Sequence, residues 1–314
     1  MSAATHTIEG TPNSLGTQAA RNLATTTKTP PQMQAVSPRW LLRILPWIEV
    51  AGGTYRLTRT TRRAIERRGS DQPAVVTSAG HVGEVTLPSM FVDYETPARE
   101  YPLSAAQTVL RLHTRVDELY NDPAVGGQYE QQLRLTVEAL RERQEHELLN
   151  DPGFGLLHNT APRHSIRTRS GPPTPEDLDN LIAKQTRPRY LLAHPRAIAA
   201  FGRRCNLAGL RPGTALVGGA RVLSWRGVPL LPCDKLPISP ELETTILVLR
   251  PGEDRQGVIG LLPAELPDQH QPGISVRRLG IDGTAVTSYL VSAYYSVVMP
   301  VPNCVCALTG VSLG

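Results

Sequence analysis

Residues 128–149 read as one long helix, and this segment constrains the rest of the chain more than any other. Tyr129, Leu133, Val137, Leu140 and Leu148 recur at helical spacing, while the remaining surface is Gln, Glu and Arg. At 1.5 Å per residue such a helix is roughly 30 Å long, the width of a small domain. One apolar stripe on so long a rod needs other elements along its whole length, so it serves as a spine. The preceding segment also reads as a helix, capped by Ser104 and running to about Tyr120. Its apolar face collects Ala106, Val109, Leu110, His113, Val116 and Tyr120. Asn121-Asp122-Pro123 and Gly126-Gly127 separate the two helices.

Downstream, residues 152–173 read as loop. Thr174-Pro175-Glu176-Asp177 then opens a helix, with Thr as N-cap, Pro at the first position and acids in the first turn. Leu178, Leu181 and Ile182 form its apolar face. Another helix begins near Pro195 and ends before Gly209. Strand-like runs follow at 220–224, 228–231, 244–249, 257–262, 274–280 and 285–298. Helices mixed with many short strands indicate an α+β protein.

Upstream of the spine the chain is of another kind. Residues 1–38 are rich in Thr, Ser, Ala, Pro and Gln with almost no apolar period, so they form an arm that orders only against a neighbour. WLLRILPW (40–47) is apolar and predicted to dock on a core or on another subunit. Residues 53–59 alternate like a strand, Arg62, Arg63, Arg67 and Arg68 form a basic cluster, and 75–87 is again extended. Residues 51–88 thus resemble a two-stranded excursion with little core of its own. An isolated hairpin is marginal in water, so a partner surface is expected.

Composition excludes several functions. Hydrophobic residues make up 40% and charged residues 19% of the 314, enough for a real core. The net charge is +5, carried by scattered arginines with only Lys28, Lys184 and Lys235 beside them, so a nucleic-acid partner is not expected. There is no apolar leader, and the longest apolar run, 293–301, is far short of a membrane helix, so neither a membrane partner nor secretion is expected. A cytoplasmic location follows from that reading. Cys205, Cys233, Cys304 and Cys306 lack zinc or redox spacing and read as reduced, buried thiols.

Chemistry-bearing motifs are missing. No phosphate loop, dinucleotide fingerprint or nucleophile elbow occurs, and Gly213, Gly218 and Gly219 read as turn residues. His146 has no second helical histidine and reads as a partly exposed spine residue. His113 reads as a core or interface histidine on the first helix. Glu138, Glu142, Glu145 and Glu147 lie among Arg134, Arg141 and Arg143, and Glu138 with Arg141 and Glu142 with Arg143 suit a solvated or intersubunit salt-bridge face, with no burial that would make a catalytic acid pair. No catalytic, cofactor-binding or metal residue is assigned, no cofactor is expected, and the chain is not read as an enzyme.

Several stretches resemble the family 2 encapsulins, proteins that build shells. They are AARNLATTTKTPPQMQ (19–34), SPRWLLRILPW (37–47), GGTYRLTR, FVDYETPAREYPLS, QQLRLTVEALRERQEHELLN, RSGPPTPEDLD, LAHPRAIAAFGR, WRGVPLLPCDKLP, GEDRQGVIGL, GISVRRLGID and SYLVSAYYS. Their order is that of the family, and they span about residues 19–296. The family is similar to tailed-phage major capsid proteins, so the resemblance implies that capsid-like α+β fold of the HK-ninety-seven type. It implies an N-terminal arm (1–50), an extended loop (51–90), a peripheral domain with the spine helix (91–185, helix about 128–149), and an axial domain with returning strands (186–314).

The function so implied is the subunit of an encapsulin nanocompartment: a homo-oligomer that self-assembles into a small icosahedral shell around a cargo enzyme. One subgroup typically packages a cysteine desulfurase. The other, 2B, is linked to terpene cyclases or polyprenyl transferases and usually carries a cyclic-nucleotide-binding insert. The wording of NLATTTKTPPQMQ, ILPWIEVAGGTYRLTR and TRSGPPTPEDLD resembles the 2B subgroup, yet no room for the insert exists after Arg59, and the 2A subgroup stays open. The tail 300–314 (PVPNCVCALTGVSLG) fits the family poorly. A second shell paralogue could co-assemble. The alternatives are a phage-type capsid protein and a cytosolic enzyme with an unrecognised site.

Overall fold

A computed structural model describes residues 37–57, 60–61, 93–94, 99–113, 124–283 and 286–313. The expectations for the arm before Ser37, the basic cluster at 62–68 and the extended run 75–87 lie outside the described residues. Where the described chain begins, helix α1 (Trp40–Ile44) buries Trp40 and Leu41 in the main core, together with Leu45 just beyond it, as WLLRILPW predicts. Strand β1 (Trp47–Val50) follows. Then β2 (Thr54–Leu57) pairs antiparallel with β5 (Arg99–Pro102), and the two-residue strands β3 (Thr60–Thr61) and β4 (Asp93–Tyr94) continue that ribbon outward.

The predicted helix from Ser104 is instead strand β6 (Ser104–His113). Ala105, Gln107, Thr108, Val109 and Arg111 are exposed, while Ala106 is buried and Leu110 packs on the core. The helical spacing of its apolar residues is outweighed by a ten-residue antiparallel ladder to β16 (Val286–Val298), from Ser104 opposite Tyr295 to His113 opposite Val286. Local pattern is a weak prior when a long apolar strand elsewhere needs a partner. Residues 114–120 of that expected helix lie outside the described residues.

The spine is helix α2 (Ala124–Asn150), starting before Gly126-Gly127, so that pair does not break it. Leu133, Val137, Leu140 and Leu148 are all buried, as the stripe predicts. A short helix α3 (Leu156–Asn159) and strand β7 (Ser165–Arg167) break up the expected loop. Helix α4 (Pro175–Lys184) has the predicted start: Thr174 Oγ1 accepts from the Asp177 N–H (3.2 Å) and Asp177 accepts from the Thr174 N–H (3.0 Å), a reciprocal cap. Strand β8 (Tyr190–Ala193) leads into helix α5 (Pro195–Leu207). The remaining strands are β9 (Gly213–Val217), β10 (Ala220–Trp225), β11 (Val228–Pro232), β12 (Glu243–Leu249), β13 (Ile259–Pro263), β14 (Gln269–Gln271), β15 (Ile274–Ile281), β16 and β17 (Val305–Ser312).

These strands form two main sheets. One has the order β1-β13-β16-β15-β14 with β6 on the other side of β16. Trp47 lies opposite Gly260 where β1 runs parallel to β13, and a Cβ at 260 would come within 2.5 Å of the Trp47 ring, so only glycine fits. The second sheet has the order β7-β17-β12-β8-β11-β10-β9. Its central strands are apolar on both faces. Leu192, Leu247, Leu249 and Val305 join the core that contains α1 and the spine, while Leu191, Val248, Cys306 and Leu308 join a second core under α4 and α5. Strand β17 is formed by the tail and lies inside this sheet, between β12 and β7. No helix among the described residues is long and apolar enough to cross a membrane.

Candidate assembly interface

The arm root meets the spine through carboxylates. Helix α1 is short and starts without a side-chain cap of its own, at Arg39 in the left-handed region. Its orphan Leu41 N–H donates instead to Glu145 Oε1 on the spine (2.9 Å). Ser37 N–H donates to Glu142 Oε1 (3.1 Å), and Ser37 Oγ lies 2.8 Å from Glu142 Oε2 and 3.3 Å from Glu145 Oε2. Arg39 pairs with Glu138 at 2.6 Å, and Lys235 with Glu142 at 2.9 Å and Asp234 at 3.0 Å. These contacts clamp the beginning of the described chain onto the middle of the spine.

This cluster differs from the expected salt-bridge face. Glu138 and Glu142 reach the arm root and Lys235 instead of Arg141 and Arg143. Arg143 donates to Glu147 (2.7 Å), which also accepts from Tyr295 Oη (2.7 Å). Residues of α1 and the β11–β12 connection approach the spine from far along the chain, which helical spacing alone does not convey. Glu145, expected on the solvated or intersubunit acid face, is instead 1% exposed. Burial pushes its carboxyl up to about 7, with the Glu142 charge adding to the rise and the Leu41 and Ser37 hydrogen bonds and Lys235 opposing it. The available signal was the gap in the apolar stripe between Leu140 and Leu148, filled by Gln144 and Glu145, both buried.

The β2–β5 ribbon is the second contact region. Tyr55, Tyr101 and Leu103 are only partly buried, against a small cluster of Val50, Ile259, Leu261 and Val298. Arg56 and Glu100 pair across it at 3.0 Å while both remain largely exposed. Large exposed apolar side chains supply a third set. Val109 on β6 and Leu279 and Ile281 on β15 belong to the first sheet, while Leu207, Leu210 and Leu216 belong to the stretch from the end of α5 into β9.

The residues weighed for chemistry are not brought together. His146 is exposed on the spine, and His113 ends β6 instead of lying on a helix, its side chain outside the described residues. Gly218 and Gly219 both take positive φ at the β9–β10 turn, as turn residues should. All four cysteines are free and buried, and burial pushes the Cys233 and Cys304 thiols up to about 12, away from nucleophilic character. Among the described residues no group of three His, Cys, Asp or Glu could hold a metal ion. A hollow of about 200 Å³ beside Arg99, Tyr101 and Phe154 and another of about 240 Å³ beside Leu157 and His158 are smaller than the ~300 Å³ of ordinary ligand sites.

Comparison with known proteins agrees with an assembling subunit. The sequence model of a family described as "Type 2A encapsulin shell protein SrpI-like" matches residues 59–314. A protein of Mycobacterium leprae named type 2A encapsulin shell protein is 44% identical over 95% of this chain and 94% of its own length. The cryo-electron-microscopy structure of the holo-SrpI encapsulin complex from Synechococcus elongatus superposes with a TM-score of 0.79 at 42% identity, over 96% of this chain and 97% of that one. The capsid of a native GTA particle superposes at 0.57 with 10% identity, over 87% and 90% of the two chains, which shows a shared capsid fold. The expected capsid-like α+β fold is thus borne out. Of the two subgroups considered, the match is to type 2A, and the likeness of wording to 2B does not carry over. The tail is corrected too: the family match runs to its last residue, and its β17 is an integral strand of the second sheet.

Proposed function

The chain belongs to the SrpI-like family of type 2A encapsulin shell proteins, whose members are structural subunits and self-assemble; from that premise we propose that its icosahedral shell encloses a cargo enzyme of the cysteine desulfurase class in the cytoplasm. The observation that carries the reading is the whole-chain likeness to the holo-SrpI complex, a shell at 42% identity. The 2A membership supports the desulfurase among the cargo classes that the resemblance implies, in preference to a terpene cyclase or polyprenyl transferase. The modest charge of +5 supports a protein cargo over packaged nucleic acid. A single kind of subunit is the simplest shell, and a second paralogue is a variant of the same reading.

The module division follows the same premise. We assign residues 1–50 to the arm, 51–90 to the extended loop, 91–185 to the peripheral domain with the spine, and 186–314 to the axial domain with the returning strands. The sharing of one sheet by β1, β6 and β13–β16 supports counting β13–β16 as strands that return to the peripheral side.

Size-exclusion chromatography and negative-stain microscopy of the protein purified from its native cells, with mass spectrometry of what co-purifies, test this reading. A closed particle of megadalton mass containing a pyridoxal-phosphate-dependent desulfurase is the expected result. A stable monomer under mild conditions overturns the shell, and a different enzyme inside the particle overturns the cargo assignment alone.

A further inference from the structure

Among the described residues, the junction of the arm root with the spine holds more carboxylates than paired cations. Three spine carboxylates, Glu138, Glu142 and Glu145, face two cations, Arg39 and Lys235. Arg39 pairs with Glu138 and also reaches Glu142 at 3.6 Å, while Lys235 pairs with Glu142 and is shared with Asp234. Arg141, on the same helix, is a third positive charge near Arg39 and Glu138, and hydrogen-bonds Gln144, Gln271 and the Pro272 carbonyl instead of a carboxylate. The remaining group facing this site, the Cys233 thiol, is neutral, its ionisation pushed up to about 12 by burial and by the nearby Glu145. Among the described residues Glu145, at 1% exposure, has no ion pair of its own and only the more distant charge of Lys235 to favour its ionised form.

Hydrogen counting points the same way. Ser37 Oγ contacts Glu142 Oε2 at 2.8 Å and Glu145 Oε2 at 3.3 Å, yet a hydroxyl carries one hydrogen. With both carboxyls ionised, Ser37 can donate its one hydrogen to either Glu142 or Glu145; a proton on Glu145 lets both contacts be hydrogen bonds at once, Ser37 donating to Glu142 and Glu145 donating to Ser37. A chain then runs from the Glu145 carboxyl to Ser37 Oγ to the Glu142 carboxylate, which Lys235 neutralises.

We propose that this junction is a proton-dependent latch: docking of residues 37–45 on the spine takes up one proton at Glu145, so the arm root is held more tightly in mild acid than above neutrality. Burial pushes the docked carboxyl up to about 7, against 4.5 for an ordinary one, and α1 and Ser37, which hydrogen-bond it, supply part of that cover. Below about 4.5 both docked and released forms carry the proton and docking is independent of pH. Between about 4.5 and 7 only the docked form carries it, so docking weakens as pH rises. Above about 7 neither does, and the dependence ends. The inference concerns the subunit's own junction and stands apart from the identity of any cargo.

Hydrogen–deuterium exchange of the full-length protein, read as protection factors for the peptide covering Leu41 from pH 5 to 8.5, tests it. Protection should fall by up to roughly tenfold per pH unit between pH 5 and 7 and level off above. Glu145→Gln, neutral at every pH, should give a flat profile. Glu142→Gln should keep the dependence with its midpoint at lower pH, because a like charge is removed. A flat wild-type profile, an unchanged profile in E145Q, or loss of the dependence in E142Q alone would each overturn the latch.

Discussion

The seven-stranded sheet and the β2–β5 ribbon obey the same burial rule with opposite outcomes. In the sheet, Leu191, Leu192, Leu247, Val248, Leu249 and Val305 are completely buried, and successive residues feed two cores, one toward the spine and one under α4 and α5. Among the described residues the ribbon finds little cover: Tyr55, Tyr101 and Leu103 are partly buried at its base. A two-stranded ribbon with so little covered surface does not hold itself together in water. Among the described residues, then, the sheet is complete in itself while the ribbon is where a neighbouring subunit could add cover, the division of labour a shell requires.

Substitutions can break or sharpen this contrast. The largest effect is expected from Leu140→Asp, which places an unpaired charge in the core beside the spine and should cost at least about 5 kcal/mol, leaving no soluble particles on sedimentation. Normal particles from this variant would remove the spine from the core. Leu247→Ala in the sheet should cost about 3–5 kcal/mol and lower the subunit's melting temperature, with assembly affected through unfolding. Thr174→Ala removes half of the reciprocal cap on α4 and should cost about 1 kcal/mol in chemical denaturation, with shells of unchanged size. The smallest effect on subunit stability, under about 1 kcal/mol, is expected from Tyr55→Ala at the ribbon base, while particle yield falls disproportionately. The contrast between the regions fails if Tyr55→Ala destabilises the subunit as much as Leu247→Ala, or if it leaves assembly untouched.

Much of the fold was legible in the sequence for identifiable reasons. The spine, α4 with its Thr174 cap, α5 and strands β10–β13, β15 and β16 all announce themselves through local pattern, turn residues or caps, which are properties of neighbouring residues. Segment 104–113 was misread because ten residues of helical spacing say nothing about a partner 180 positions away, and the β16 ladder decided the matter. Strand β17 was overlooked because a tail such as CVCALTGVS becomes a buried strand only when β12 and β7 flank it.

The assembling character was legible through what the sequence lacks, an apolar period in the first 38 residues and a core for residues 51–88, and through the ordered likeness to shell proteins. The charge pattern at the junction was not. Glu138, Glu142 and Glu145 look alike on a helical wheel, three acids on or near one flank of a spine. Their different fates come from α1 and the Lys235 loop, which cover one carboxylate and bring cations to the other two. Local chemistry thus determined by itself that a long helix, a capped α4 and many short strands would form, because hydrophobic periodicity and capping act over a few residues. Only the tertiary structure decided which strand pairs with which and which acid is buried without a cation, because desolvation and ladder formation depend on groups that the chain brings together from far apart.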